Sequence, residues 1–187
     1  MAEAGDLGNR AQTVGRAVDF WGRPFLAGGR REHVPSAPQG FRIRLEGNEL
    51  THQQQISVAT KGHGDMHDLT KRVIDAVVAS RVQTGTVNLF HVGSTAAVGA
   101  IEFEPGLERD LPEILDKLIP PSRAYGHEEA WHDGNGHSHL QATWLGPSLT
   151  VPVTEGKPVL GTWQQIFLLE CDVRPRQRTV VVTVIGD

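Results

Sequence analysis

The chain predicts an α+β fold, mostly antiparallel strands with two main helical segments. Three observations carry that expectation. Short runs alternate apolar and polar residues as half-buried strands do, two longer stretches repeat apolar residues at helical spacing, and the two kinds of run do not alternate as βαβ units would. At 187 residues, one domain with its own core is expected.

Residues 1–40 are rich in Gly, Arg and Pro, and Phe20, Trp21 and Phe25 show no amphipathic period. A flexible extension is expected there, ahead of a single domain over 41–187. The alternative is an arm that packs on a neighbouring subunit through Phe20 and Trp21. Residues 41–45 and 55–59 read as an antiparallel pair of strands. Leu69, Val73, Ile74, Val77 and Val78 then mark a helix, with Asp68 as N-cap and Gly85 beyond its end.

Strands over 86–92 and 95–101 follow, separated by Gly93-Ser94, and the second is rich in Ala and Gly, which admits a close neighbour. Leu107, Leu111, Ile114, Leu115 and Leu118 mark the second helical stretch. Pro105 suits its first turn, whereas Pro112 is expected to bend or divide it. Four further strands are expected over 138–144, 149–153, 165–172 and 179–185, with turns at Gly146-Pro147, Glu155-Gly156 and Arg174-Pro175.

Composition excludes some classes of partner. A formal net charge of −4 and a pI near 6.1 give no basic field for nucleic acid or anionic lipid. Cys171 is the sole cysteine, which rules out an intrachain disulfide and Cys-rich zinc motifs. The first residues lack the basic start and apolar core of a signal peptide, and no apolar run approaches the ~18 residues of a membrane span. A cytoplasmic location is the expectation.

The chemistry concentrates at 127–139, where four of the nine histidines and three carboxylates fall within thirteen residues. Imidazoles and carboxylates ligate divalent transition metals, and three protein ligands leave a coordination position open. If His137-Ser138-His139 begins a strand, both imidazoles share a face, and His127 can complete a set of three. The plainer reading is a polar loop whose histidines only hydrogen-bond. Asp133-Gly134-Asn135-Gly136 reads as turn chemistry, or Asp133 orients an imidazole or ligates a harder ion such as magnesium. His132 is expected to be exposed.

Glu102 and Glu104 form an i, i+2 pair that can bind a cation or share a proton, or Glu104 simply opens a helix before Pro105. Arg174, Arg176 and Arg178 alternate along the last hairpin, as a phosphate site would require and as a solvated strand face also does. Ser94 and Thr95, after Gly93, can add backbone amides for an anion.

Leu160-Gly161-Thr162-Trp163-Gln164-Gln165-Ile166 resembles the signature of the YjbQ-like family. The likeness extends in order through Gly93-Ser94-Thr95-Ala96-Ala97, Glu102 to Leu107, Asp110-Leu111, His127, Gly134 to His139, Pro147 to Pro152 and Arg176-Gln177-Arg178, over roughly residues 50–187. The resemblance implies the YjbQ-like α+β fold, a homotrimer, a histidine-centred metal site and a weak thiamine-phosphate synthase activity that joins a pyrimidine pyrophosphate to a thiazole phosphate.

On this resemblance His139 is the best-matched ligand, His127 the next, and His137 a branch-specific third. Zinc is the expected ion, with magnesium the alternative. Arg176 and Arg178 would steady the leaving pyrophosphate, Glu102, Glu104 and Asp133 would handle protons or the cation, and Ser94, Thr95, Asn135, Trp163 and Gln164 would hold the substrate. Trp163 and Gln164 also read as a packed turn. Better-known members have His-Thr-Ser-Ala where Val92-Gly93-Ser94-Thr95 stands, so the neighbouring His91 is a candidate replacement, although adjacent strand residues face opposite sides. The final Asp187 stands where members commonly end in Glu. Two other functions fit the same residues: a trimeric, non-catalytic metal- or ligand-binding module, and a metal-assisted phosphate or ester hydrolase.

Overall fold

The computed structural model describes the backbone of residues 41–44 and, in full, residues 50–187. The proposed extension at 1–40 lies outside these. Among the described residues nine strands run β1 (Phe41–Arg44), β2 (Leu50–Ala59), β3 (Met66–Asp68), β4 (Thr84–His91), β5 (Ala96–Ile101), β6 (Ser148–Thr154), β7 (Lys157–Pro158), β8 (Gln165–Glu170) and β9 (Gln177–Gly186). The helices are α1 (Thr70–Ser80), α2 (Pro105–Leu118), α3 (His127–Trp131) and α4 (Gly136–Leu145).

The strands form a six-stranded sheet in the order β1-β2-β9-β4-β6-β7 and a three-stranded sheet in the order β3-β8-β5, antiparallel throughout. The α+β class is as expected. Strand β1 does pair antiparallel with β2, but through residues 50–53; the run at 55–59 that was expected to partner it pairs with β9 instead. The first core lies between the large sheet, α1 and one face of the small sheet, and includes Ile56, Val58, Leu69, Val73, Val77, Leu89, Ile166, Leu168 and Val182. A second core, with Met66, Leu115, Ala142, Phe167 and Leu169, packs α2 and α4 on the other face. Strand β8 is therefore buried on both sides, and its Ile166-Phe167-Leu168-Leu169 run is continuously apolar rather than alternating.

The N-cap of α1 is Leu69 rather than the expected Asp68, which stands one residue earlier and whose Oδ1 accepts from the Thr70 amide at 2.7 Å. The helix stops at Arg81, which adopts the left-handed conformation with φ 65°, and not at Gly85. Gly85 instead lies within β4, paired with Gly186. The two bare backbones approach so closely that a Cβ on Gly85 would stand 2.1 Å from the Ile185 carbonyl oxygen. Pro112 lies inside α2, which runs as one helix rather than two.

The expected strand over 138–144 is instead α4. Its buried residues, His137, Ser138, Gln141 and Ala142, follow the helical period, and the polar alternation that read as a strand is one side of that helix. With α3, this makes four helices among the described residues where two main segments were expected. No described helix is long and apolar enough to cross a membrane.

Gly85→Ala should lower stability by at least the ~1–3 kcal/mol of an overpacked core, because the methyl meets backbone that the β4–β9 pairing holds in place. A reduced midpoint in urea denaturation would show this; an unchanged midpoint would mean that the two strands can separate without cost.

Candidate functional site

A cavity of about 470 Å³ opens where the two sheets diverge, lined by Gly93, Ser94, Thr95, His127, Trp131, Asp133, Asn135, His139, Asp172, Arg176 and Arg178. Three segments build it: the β4–β5 link, the stretch of α3 and α4, and the β8–β9 link, which crosses from the small sheet to the large one and is not the hairpin the sequence suggested.

Its floor is an ion network. The buried Glu170 carboxylate accepts from Arg178 Nε at 2.6 Å and from Arg178 Nη2, as well as from the Thr60 hydroxyl at 2.7 Å and the Asp172 amide at 2.7 Å. Arg178 Nη2 also donates to Thr95 Oγ1 at 2.8 Å, and that hydroxyl donates to Asp172 Oδ2 at 3.1 Å. Asp172 Oδ2 in turn accepts from Arg176 Nε at 2.9 Å and lies 2.8 Å from Nη2. The expected row of arginines is thus divided: Arg178 is buried, Arg176 is half-buried at the cavity, and Arg174 is exposed and outside the lining.

The opposite wall comes from α3 and α4. His127 and His139 stand with ring centroids 4.6 Å apart, and His127 also stacks on Trp131, four residues along α3, at 6.5 Å and 25°. His127 Nε2 lies 3.5 Å from Asp133 Oδ1, an ion-pair distance without a hydrogen bond. Burial lowers the pKa of His139, and the neighbouring His127 adds to this, so its imidazole is favoured in the neutral form that ligates metals. Left-handed His132 (φ 54°) ends α3 and is exposed, as expected. Glu128, which pairs with Arg123 and accepts the Gly134 amide at 2.8 Å, holds the following turn.

His137 does not join this pair. Residues two apart on a helix point about 200° from one another, so His137 turns away from the cavity. It is buried, with its ring 5.5 Å from His63 and 6.4 Å from Tyr125, and neither ring nitrogen has a hydrogen-bond partner among the described residues. His63 is held by Asp116 at 2.8 Å, and Asp116 also accepts from Gln141 at 2.9 Å. Among the described residues, no three His, Cys, Asp or Glu side chains are grouped so as to hold one ion. The three-histidine set expected from a strand is therefore not formed; His127 and His139 are the two that meet.

Glu102, Glu104, Trp163 and Gln164 also lie elsewhere. In the β5–β8 register, Ala96 pairs with Glu170 at the cavity end and Ile101 with Gln165 at the other. The acidic pair and the Trp-Gln turn gather at that far end, where Phe103 N donates to Gln165 Oε1 at 2.9 Å. Glu104 caps α2, accepting from the Gly106 amide at 2.7 Å and the Leu107 amide at 2.5 Å. Gln164 closes its own turn, its Oε1 accepting from the Gly161 amide at 3.1 Å, while Trp163 is 72% exposed. Ser94, Thr95, Asp133, Asn135, Arg176 and Arg178 do line the cavity.

Sequence reading missed Asp172, Glu170 and Trp131. The i, i+4 spacing of Asp172 and Arg176 and of His127 and Trp131 was a usable signal; the burial of Glu170 within an apolar strand was another. His91 does not enter the cavity lining. It is fully buried beneath Gly93, and burial together with the Arg178 charge pushes its pKa down to about 4. Cys171 is also buried, and its thiol is pushed up to about 12.

These features define a two-sheet α+β domain with a polar, ligand-sized pocket at the edge where the sheets part. The model of the family described as UPF0047 protein YjbQ-like matches residues 54–187, and the chain belongs to that family. A UPF0047 protein of Methanothermobacter thermautotrophicus is 38% identical over 133 residues, covering 71% of this chain and 91% of that one. The UPF0047 protein YjbQ of Salmonella typhimurium is 30% identical over 140 residues, covering 74% of this chain and 100% of that one. Among solved structures, a YjbQ-like protein of unknown function from Sulfolobus solfataricus aligns with a TM-score of 0.70 at 36% identity, covering 74% of this chain and 99% of the other.

Two predictions follow from the buried charges. Glu170→Ala strands Arg178 and should cost about 3–5 kcal/mol, measured by chemical denaturation; a loss below ~1 kcal/mol would mean that the pair is not desolvated. For His91 the folded pKa lies below the unfolded value of about 6.5, so acid favours the unfolded chain. The stability that its neutral ring contributes is complete above about pH 6.5 and is lost as the pH falls toward about 4. Denaturation midpoints across that window should fall less steeply in His91→Gln than in the parent.

Proposed function

We propose that this pocket receives a phosphorylated small molecule and acts on it with the help of a divalent ion, zinc in preference to magnesium. The observation that supports this most directly is the arrangement of two imidazoles, two guanidiniums and the Ser94-Thr95 backbone around one cavity. The residues fit a metal in part: His127 and His139 would be its protein ligands, with Asp133 beside His127 as an orienting acceptor. A bound ion would supply Lewis acidity at a phosphoryl oxygen.

The chain's own groups do the rest. Arg176, fixed by Asp172 through Nε and Nη2, presents its remaining edge to an anionic oxygen. Ser94 and Thr95 contribute polar groups at the same end, and Trp131 offers an apolar face beside His127. In the reading that the YjbQ resemblance favours, the reaction is thiamine-phosphate synthesis, with Arg176 and Arg178 steadying the departing pyrophosphate. Glu102 and Glu104 have no part in the pocket of one chain, so Asp133 is the carboxylate placed to take a proton there. The assembly proposed is a homotrimer in the cytoplasm.

The purified protein should hold about one divalent ion per chain, and His139→Ala should lose it, as elemental analysis would show; equal metal content in the two proteins would remove the metal from this reading. Incubation with the pyrimidine pyrophosphate and thiazole phosphate should give metal-dependent product that His139→Ala reduces by at least ~100-fold. Tight binding of both compounds with no turnover would favour the non-catalytic binding module, and release of inorganic phosphate from simple phosphate esters the hydrolase.

A further inference from the structure

We infer that the cavity is completed by a second copy of this chain, whose Trp163-Gln164 turn enters it from outside and closes it. The pocket is the one described above, but the inference needs neither a metal nor a particular ligand. Three features of the two ends of the molecule point to it.

The first is a side chain presented where its own chain cannot use it. Gln165 and Glu170 stand at opposite ends of β8, about 17 Å apart at the usual rise of a strand, so the turn before Gln165 lies out of reach of its own cavity. That turn is nonetheless firmly built. Gln164 Oε1 accepts from the Gly161 amide at 3.1 Å and the Gln164 amide donates to the Gly161 carbonyl at 2.9 Å, which leaves Trp163 72% exposed at the tip. A large apolar ring held in water on a fixed loop is the form that interface anchors take.

The second feature is a match of donors to acceptors. Asp133 Oδ1 and Asn135 Oδ1 are buried at the cavity and accept from no donor among the described residues, and Asn135 is only 5% exposed. Buried acceptors require donors. The turn carries two, the Trp163 indole N–H and the Gln164 Nε2 amide, and neither has a partner among the described residues. A cavity of about 470 Å³ has room for an indole and for a small ligand beside it.

The third is charge. At the cavity end Arg176 keeps one guanidinium edge free of Asp172, and the exposed Arg174 guanidinium has no partner among the described residues. At the far end Glu102 is exposed and likewise unpaired among them. Guanidiniums at one end and a carboxylate at the other are complementary when copies are laid head to tail. Both halves of the match belong to one chain, so the occupant is a second copy, and contacts of this kind repeat around a closed ring.

Thiol cross-linking of the full-length protein reads the contact directly. Ser94 lines the cavity and Thr162 lies on the turn, both exposed, whereas the native Cys171 is buried. A double variant, Ser94→Cys with Thr162→Cys, treated with a bismaleimide shorter than the ~17 Å between the two ends of one chain, should give covalently joined chains on denaturing gels. Either single variant should run as separate chains. Trp163→Ala added to the double variant should abolish the cross-link, and alone it should weaken association at least ~30-fold in sedimentation, as loss of an anchor does; circular dichroism like the parent's would show that it folds. Chains that sediment singly at every concentration, or that associate without this cross-link, overturn the inference, as does a Trp163→Ala protein that associates as tightly as the parent. Each of those results leaves the phosphate reading of the pocket standing, because that reading depends on the residues of one chain.

Discussion

The pairing of Glu170 with Arg178 is the constraint on which the site depends. A carboxylate and a guanidinium removed from water are costly unless each satisfies the other, and here each has further partners: Thr60 and the Asp172 amide on one side, Thr95 on the other. Those partners come from just after β2, just before β5 and just after β8, while the pair itself joins β8 to β9. The ion pair therefore ties the large sheet to the small one at the point where they separate. The cavity is the wedge left open above that tie.

The rest of the small sheet follows from β8. Because both of its faces are buried, its side chains are divided between two cores, and Glu170 is the residue at which the apolar run gives way to charge. The antiparallel register then sends the polar groups after Glu170 into the cavity and those before Gln165 to the opposite end. Residues close together in the sequence motifs, such as Gln164 and Glu170, consequently serve different ends of the molecule.

Much of the fold was legible because β-strands announce themselves by alternation. The runs at 55–59, 149–153 and 179–185 lie on one exposed sheet face and one buried face, and their period survives in the sequence. The misreading of 138–144 has a physical origin. Over a few residues a short helix bearing His, Ser, Gln and Thr shows enough alternation to pass for a strand, and only the burial of Ser138 and Gln141 beside Ala142 reveals the helical face. That single change of element turns His137 away from His127 and His139, with which it was expected to share a face. The Gly-Thr-Trp-Gln segment identified the family, yet within one chain it sits away from the cavity; a sequence signature records which residues recur, not which ones meet. Asp172 escaped notice because its role depends on a partner four residues away across a turn.

Strand β9 occupies the centre of the large sheet, between β2 and β4, and the pairing that places Leu50 opposite Gly186 joins residues from distant parts of the chain. During synthesis β2 and β4 emerge long before the strand that belongs between them. Loop closure over such separations slows folding, and until β9 arrives its two neighbours present unpaired edges that invite pairing with other chains. Arg178 lies on that same late strand and Arg176 just ahead of it, so the sheet and the cavity are completed in one event. A ribosome-bound chain that lacks this segment should have neither a closed large sheet nor a complete cavity.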